Sequence, residues 1–376
     1  MFLAGIQLIY IIPCFRRNDA LRNESALLIT YDCIIMRVAV YYNNKDVRLE
    51  ERPVPKIGNG ELLMKVMASG VCGSDVMEWY RIKKAPLVLG HEAAGEVVEV
   101  GDGVERFKKG DRIVVTHHVP CNKCRYCLKG RHSVCDTLRK TNFIPGGFSE
   151  YLKIPAINVD RGTFLLPDNL SYEEGTFVEP LACVLRGLRL SGFEPGQSIL
   201  VIGSGISGLL QIISARTLGA GFIAAVDLND YRINSAKRFG ADIALKADDD
   251  VPNILRKHNS GLLADMVILC TGAKPAILQS FKTVDKGGTV LLFAVLDPAS
   301  NVELPLWDIY QNNIKITTSY AGAPQDLLQA IELLCAKRID IKDMITHRLG
   351  LAETGRGFQL VADAKESIKV IIEPQR

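Results

Sequence analysis

The sequence has no block of like charges, no low-complexity tract and no internal repeat of solenoid length. A repeat architecture and a charged interaction tail are excluded on those grounds. Net charge is small in either direction, because 45 Lys and Arg face 42 Asp and Glu, leaving +3. A surface built to hold nucleic acid or an anionic bilayer carries a pronounced basic excess, so neither partner is expected. The apolar stretch from Phe2 to Ile12 falls short of the roughly 20 residues that cross a membrane, and Pro13, Arg16 and Arg17 follow it. It also lacks a basic start and a clean small-residue cleavage site, so it reads as a poor signal peptide. Regular alternation begins only at Met36-Arg-Val-Ala-Val-Tyr-Tyr. Met36 is therefore expected to be the natural start, with residues 1–35 a non-native or disordered extension.

What is present fits a two-core protein. A chain of 376 residues, 48% hydrophobic and 23% charged, exceeds one small domain and has the balance of an ordinary globular fold. Four of its ten cysteines, Cys121, Cys124, Cys127 and Cys135, crowd into one segment, whereas Cys14, Cys33, Cys72, Cys183, Cys270 and Cys335 are scattered. A disulfide framework would spread its cysteines over a smaller chain. Clustering here points to a metal and a reducing, cytoplasmic compartment.

From residue 36 to about 170 the chain reads as short strands, including Arg37–Tyr41, Glu61–Ala68, Ala94–Val100 and Arg112–Thr116, broken by glycine turns. Period-two alternation with regular turn signals predicts a β-rich, barrel-like unit. Ser171-Tyr-Glu-Glu174 is a capping box and predicts a helix start. From Ser198 strands and helices alternate, with strands expected at Ser198–Ile202, Phe222–Val226, Ile243–Leu245, Asp265–Cys270, Thr289–Phe293 and Ile314–Ser319. That alternation predicts a parallel sheet covered on both faces, and six strands fit a doubly wound dinucleotide fold. A helix near Asp326–Ala336 and a strand at Ile368–Ile372 follow it and are expected to return to the first unit.

Gly203-Ser-Gly205-Ile206-Ser-Gly208 follows an apolar strand and opens a helical pattern. Gly203 would make the tight turn, Gly205 would admit a pyrophosphate, and Gly208 would let helix and strand pack closely. The free N–H groups from Ile206 onward would face the phosphates. Asp227 lies 19 residues past Gly208 at the end of the next strand, where a ribose-binding acid belongs. Its carboxylate argues for NAD over NADP, since a 2′-phosphate charge about 4 Å away would be repelled by roughly 4 kcal/mol at an effective dielectric near 20. Arg232 could receive that phosphate or pair with the adenosine ribose; the second reading is preferred.

Cys121-x₂-Cys124-x₂-Cys127-x₇-Cys135 is the strongest local signal. Four thiolates at this spacing can close a tetrahedral shell around zinc, which leaves no open position and makes the site structural. An iron–sulfur run would carry a shorter last gap and a proline after the fourth cysteine, where this chain has Asp136. Two disulfides would need an oxidising compartment.

Three further pieces stand apart in sequence: Gly70-Val-Cys72-Gly-Ser74-Asp75, Gly90-His91-Glu92-Ala-Ala-Gly95, and Val178-Glu179-Pro180. Together with the cysteine cluster, the glycine loop and Gly146-Gly-Phe148-Ser-Glu-Tyr151, and in this order, they resemble the zinc-dependent medium-chain alcohol/polyol dehydrogenases, most closely the sorbitol and threonine dehydrogenase branch. The resemblance covers residues 36–376. It implies an α/β protein with a GroES-like catalytic domain from 36–183 and 320–376 and a Rossmann domain from 184–319. It implies Cys72 and His91 as ligands of a catalytic zinc, with Glu179 either a third ligand or the group that holds a water there. Glu92 would be a neighbouring ligand or supporting carboxylate, Asp75 would orient His91, and Ser74 would pass a proton outward. Lys369 would match the family's basic residue near the pyrophosphate.

The expected activity is oxidation of a secondary alcohol, polyol or hydroxy amino acid with hydride transfer to NAD, in a homodimer or homotetramer with one catalytic and one structural zinc. Two competing readings are a zinc-free reductase of the same fold and a nucleotide-binding structural zinc protein without dehydrogenase activity. Two departures from the family bear on substrate. Met77 stands where a relay histidine often lies, and Thr318-Ser319-Tyr320 aligns with a run that carries an arginine in sorbitol dehydrogenases. Trp79 and Phe148 could line the pocket or simply fill the core.

Overall fold

The structure, a computed structural model, describes residues 34–299 and 301–376. The expectation of an extension at residues 1–35 falls almost wholly outside the described residues. Three sheets organise the described residues. Ile35–Asn43 and Asp46–Pro53 form an antiparallel hairpin, to which Leu87–Val88 adds a short strand. The second sheet runs in the order Ile345–Gly350, Lys369–Glu373, Leu62–Gly70, Glu92–Val100, Arg112–Thr116, Thr163–Leu165, with Tyr151–Ile154 also paired to Leu62–Gly70. The chain's last strand thus lies beside Leu62–Gly70, with Ile371 opposite Gly70. This pairing brings Lys369 within reach of Glu92.

The third sheet is parallel throughout, in the order Ile243–Lys246, Phe222–Asp227, Ser198–Ile202, Ala264–Leu269, Val284–Leu292, Lys315–Thr318. The strand order reverses direction around Ser198–Ile202, which opens a crevice at the carboxyl ends of the strands. All five residues of Ser198–Ile202 are buried, as a strand covered on both faces requires. The fifth strand starts at Val284, five residues before the expected Thr289, because Val284 already pairs with Ala264 ahead of a register shift.

The capping box at Ser171 forms as expected: Ser171 Oγ accepts from the Glu174 N–H at 3.1 Å, and Glu174 Oε2 accepts from the Ser171 N–H at 2.8 Å. It opens only the single turn Tyr172–Gly175; the long helix is a separate one, Val178–Ser191. Pro180 explains the break. Proline has no N–H and is tolerated in a first helical turn, where the N–H groups are unpaired anyway, so the helix must restart just before it. Glu179 is thereby fixed in the first turn of that helix. Leu181, Leu185 and Leu188 of the same helix join one buried cluster with Ala68, Ala94 and Val114 of the antiparallel sheet and Ile199, Val201 and Leu291 of the parallel sheet. The helix is the shared wall between the two sheets. Among the described residues no helix is long and apolar enough to cross a membrane.

Candidate active site

Cys72 ends the Leu62–Gly70 strand region and caps the short turn Gly73–Val76. Its N–H donates to Asp75 Oδ2 at 3.1 Å, and its sulfur accepts from the Ser74 N–H at 3.5 Å. The turn therefore aims the thiol and buries Asp75 beneath it. Asp75, fully buried, faces His91 Nδ1 at 3.3 Å and Arg81 Nη2 at 3.5 Å. Burial alone would raise its carboxyl; attraction to His91 and Arg81 outweighs this and holds it below the usual carboxylate range. A carboxylate on one ring nitrogen leaves the other directed to a metal, the usual arrangement for a ligating histidine.

The ligand atoms of Cys72, His91 and Glu92 all lie within 4.8 Å of one another. Thiolate, imidazole and carboxylate form a donor set that suits zinc, and three protein ligands leave a fourth position open. Gly70 makes room for this: a Cβ there would lie 2.3 Å from Glu92 Oε2 and 2.7 Å from Lys369 Nζ. Lys369 is fully buried and pairs with Glu92 through that oxygen. The structure thus gives Lys369 to Glu92 rather than to the glycine loop where the pyrophosphate role was expected. The pairing engages one Glu92 oxygen and leaves the second for a cation.

Glu179 is not within that tight group. Its Oε1 accepts from the Cys183 thiol at 3.6 Å. Burial raises the Glu179 carboxyl above its ordinary range, with His91 pulling it down and Glu92 pushing it up, so it lies within electrostatic reach of both. Ser74 Oγ accepts from Arg81 Nη2 at 3.1 Å, and the Ser74 carbonyl accepts Arg81 Nε at 2.9 Å. Glu78, a candidate proton carrier by position, instead accepts the Asn44 N–H at 3.2 Å. Phe148 is fully buried, edge-on to Phe358 at 5.5 Å, and is core. Trp79 is half-buried against Tyr80.

Sequence reasoning missed several groups. Arg81 carries no local signal, since only the fold of the turn brings it to Ser74 and Asp75. His117 and His118 follow the strand Arg112–Thr116; the His117 ring centroid lies 4.7 Å from that of His91 and 3.7 Å from that of His118. His118 Nε2 is 2.9 Å from the Tyr320 hydroxyl. Burial lowers His117 well below the usual histidine range and His118 to about 4, with neighbouring positive charge adding to both, so both are neutral near pH 7. The paired histidines three residues before Cys121 were a readable signal.

The four sulfurs of Cys121, Cys124, Cys127 and Cys135 also lie within 4.8 Å of one another. Cys124 and Cys127 sulfurs are 3.5 Å apart, and those of Cys121 and Cys127 are 4.0 Å apart. A tetrahedron with ~2.3 Å zinc–sulfur bonds has edges of about 3.8 Å. Backbone N–H groups of Cys121, Cys124 and Cys127 point to sulfurs of Cys135, Cys121 and Cys124, which favours the thiolates a cation needs.

At the parallel sheet, Gly203 has φ +94° and begins the turn into the helix Ile206–Thr217. A Cβ on Gly208 would lie 1.9 Å from the Gly203 carbonyl oxygen, so helix and strand meet at that glycine. Gly205 is different. The nearest atoms to a Cβ there belong to the Arg232 guanidinium, at 3.7 Å. Packing does not demand glycine at that position, which leaves the backbone there open to close approach. Asp227 accepts the Ser204 N–H at 2.7 Å and the Asn229 N–H at 3.0 Å, so it braces the glycine turn and retains lone pairs for a ribose. Arg232 Nε is buried and has no hydrogen-bond partner among the described residues.

Comparisons with known proteins agree with this geometry. The family described as "Alcohol dehydrogenase GroES-like domain" matches residues 58–163, and "Zinc-binding dehydrogenase" matches residues 207–336. The chain is 33% identical to the sorbitol dehydrogenase of Bacillus subtilis (strain 168) over 91% of its own length and 98% of that protein. In structure it is similar to the 2R,3R-butanediol dehydrogenase from Bacillus subtilis, with TM-score 0.79 and 28% identity over 90% of this chain and 99% of that one. It is equally similar to a protein of Sinorhizobium meliloti 1021 bound to NADP, with TM-score 0.80 and 29% identity over 91% and 100%. With a GroES-like half, a parallel nucleotide-type sheet and both cysteine-bearing donor sets on one chain, this protein belongs to the zinc-dependent medium-chain alcohol/polyol dehydrogenases and is an oxidoreductase of alcohols or polyols.

Proposed function

We propose that the chain oxidises a secondary alcohol, polyol or hydroxy amino acid with NAD as hydride acceptor, using one catalytic and one structural zinc. The observation that carries this reading is the convergence of Cys72, His91 and Glu92, within 4.8 Å, beside Ser74. In it, Cys72, His91 and Glu92 hold the catalytic zinc, and Cys121, Cys124, Cys127 and Cys135 hold the structural one. A bound zinc at the first site supplies Lewis acidity that makes the substrate hydroxyl more acidic. The protein's part is placement and proton handling. Arg81 donates to Ser74 Oγ, which leaves the Ser74 proton free to pass on while a lone pair accepts from the substrate hydroxyl. Glu179, the carboxylate lifted by burial, orients a water or the substrate by hydrogen bonding. Met77 cannot carry a proton, and Glu78 is bonded to Asn44, so the proton leaves through water or the ribose hydroxyls.

Gly203, Gly205, Ile206 and Gly208 bind the pyrophosphate in this reading, and Asp227 binds the adenosine ribose with Arg232 beside it. Asp227 supports NAD by repelling a 2′-phosphate. Arg232, with its unpartnered Nε, is the feature that favours NADP instead. Comparing kcat/KM for NAD⁺ and NADP⁺ decides between them: a preference for NAD⁺ of at least about tenfold is expected, and equal use would overturn it. Metal analysis should find two zinc ions per chain; one would favour the idle nucleotide-binding reading.

The same reading divides the chain into a catalytic unit of residues 36–183 and 320–376 and a Rossmann unit of 184–319, supported by the pairing of Lys369–Glu373 with Leu62–Gly70. It takes the protein to be cytoplasmic, where four free thiolates persist. It also takes it to be a homodimer or homotetramer: the edge strand Lys315–Thr318 follows the helix Leu306–Gln311, whose Trp307 and Tyr310 are exposed.

A further inference from the structure

One side chain of the four-cysteine lobe joins it to two other parts of the chain. Ser133 lies between Cys127 and Cys135. Its hydroxyl donates to the Tyr320 carbonyl at 2.6 Å and accepts from Arg186 Nη2 at 3.2 Å. Its carbonyl accepts Arg139 Nε at 3.1 Å, and the Arg139 guanidinium lies 5.8 Å from the Tyr320 ring centroid. Ala321, next in the chain, packs on the cysteine cluster itself. Arg186 reaches the Gly130 carbonyl of the same lobe at 3.5 Å and Asp326 at 3.4 Å.

Arg186 is an unusual residue to spend on stability. It is 2% exposed, its bonds are long, and its Nε has no hydrogen-bond partner among the described residues. A buried guanidinium with incomplete pairing stabilises weakly at best. What its contacts do fix is relative placement. Arg186 sits seven residues after Glu179 on the helix Val178–Ser191, about two turns along the same face. One line of contact runs from Ser133 through Arg186 and the helix to Glu179. A second runs from Ser133 through Tyr320 to His118, then through the stacked His117 to His91.

We propose that Ser133 and Arg186 are positioning residues through which the four-cysteine lobe sets the placement of Glu179 and Tyr320, so that the state of the lobe governs turnover as well as stability. This rests on the dehydrogenase reading above. A misplacement of about 1 Å distant from the chemistry is enough to slow an enzyme substantially.

The test uses the zinc-loaded full chain with Ser133→Ala, Arg186→Met and the double variant. Four quantities are read: zinc content, melting temperature, kcat and KM for an alcohol that the unaltered protein oxidises, and the rate at which iodoacetamide alkylates Cys183. Cys183 donates to Glu179 from the same helix, so it reports on that helix without turnover. Each single variant should lower kcat by about 3- to 30-fold and raise the Cys183 alkylation rate, with zinc content unchanged. The double variant should fall no further than the more affected single one, as expected for two links of one chain. A lower melting temperature with kcat per folded molecule and Cys183 reactivity both unchanged would show a merely structural role and overturn the proposal. So would losses that multiply independently. Should Arg186→Met fail to fold, Ser133→Ala decides alone, because that side chain is only half-buried. Absence of turnover on every alcohol in the unaltered protein would defeat the dehydrogenase reading, and the Cys183 comparison would still decide this one.

Discussion

The two cysteine-bearing sites of this protein are built in opposite ways. The four-cysteine lobe draws all its donors from Cys121 to Cys135, and short turns alone bring the sulfurs within 4.8 Å. The catalytic group draws Cys72 from a turn after one strand and His91 and Glu92 from the start of another, and Glu92 is met by Lys369 from the last strand of the chain. A local site can form wherever its segment folds. A dispersed site exists only when the whole antiparallel sheet is in register, because a slip of one residue would turn Lys369 to the other face. In the function proposed above, the local site would close a shell of four sulfurs around zinc, whereas the dispersed one would keep a position open for chemistry.

The largest expected effect separates chemistry from folding. Cys72→Ala should lower kcat/KM by about 10³-fold or more and reduce zinc from two ions to one, leaving the lobe's zinc in place. Glu179→Ala should lower kcat by roughly 10²- to 10⁴-fold with NADH affinity nearly intact. Retention of both zinc ions and of turnover in Cys72→Ala would dissolve the distinction between the sites.

Asp227→Ser tests a region outside both metal groups. It should shift the ratio of kcat/KM for NAD⁺ over NADP⁺ towards NADP⁺ by about 10- to 1,000-fold, given a repulsion of roughly 4 kcal/mol at full strength. An unchanged ratio would transfer the choice of cofactor to Arg232.

Lys369→Met leaves Glu92 buried without its cation and should destabilise the protein by about 3–5 kcal/mol in denaturant titration. Cys127→Ser opens the lobe's shell and should cost about 3 kcal/mol, lowering Tm by roughly 5 °C or more for a chain of this size. Through the contacts proposed for Ser133 and Arg186, Cys127→Ser should also lower kcat per folded molecule; an unchanged kcat would make the two sites independent and sharpen the contrast.

The smallest effect is expected at Met77. Met77→His should change kcat by less than roughly tenfold, since another proton route already operates. It should add a group titrating near pH 6 to 7 in the rate profile, an approximate window from the ordinary histidine pKa. A rise of about a hundredfold at neutral pH would show that the existing route is broken.

The parallel sheet was the most legible part of the chain. Its six strands alternate with helices, and the glycine loop marks the turn after the first, so order and position follow from periodicity and from the hand of parallel crossovers. The tetracysteine spacing was equally open, because ligands within one short segment need no knowledge of the fold. Cys72, His91 and Glu179 were recognised only as a set and by resemblance, since each alone is consistent with a core or surface role. Arg81 and Tyr320 gave no comparable sign, and the histidine pair was readable only as an adjacent pair with no indication of its partners. Arg81 reaches Ser74 through a turn whose path is set by packing, and Tyr320 meets His118 across 202 residues.

The sequence by itself determined the local geometry: the turn at Gly203 that needs φ +94°, the helix restart forced by Pro180, and the sulfur cluster at close spacing. The tertiary structure decided which buried charges face one another. It gave Lys369 to Glu92, left Glu179 with a thiol as its partner, and set Ser133 between Tyr320 and Arg186. The physical reason is that backbone propensity and spacing act over a few residues. A buried ion finds its partner only after sheet pairing and helix packing have removed water from both, and charge burial is tolerated only where that packing supplies the opposite sign.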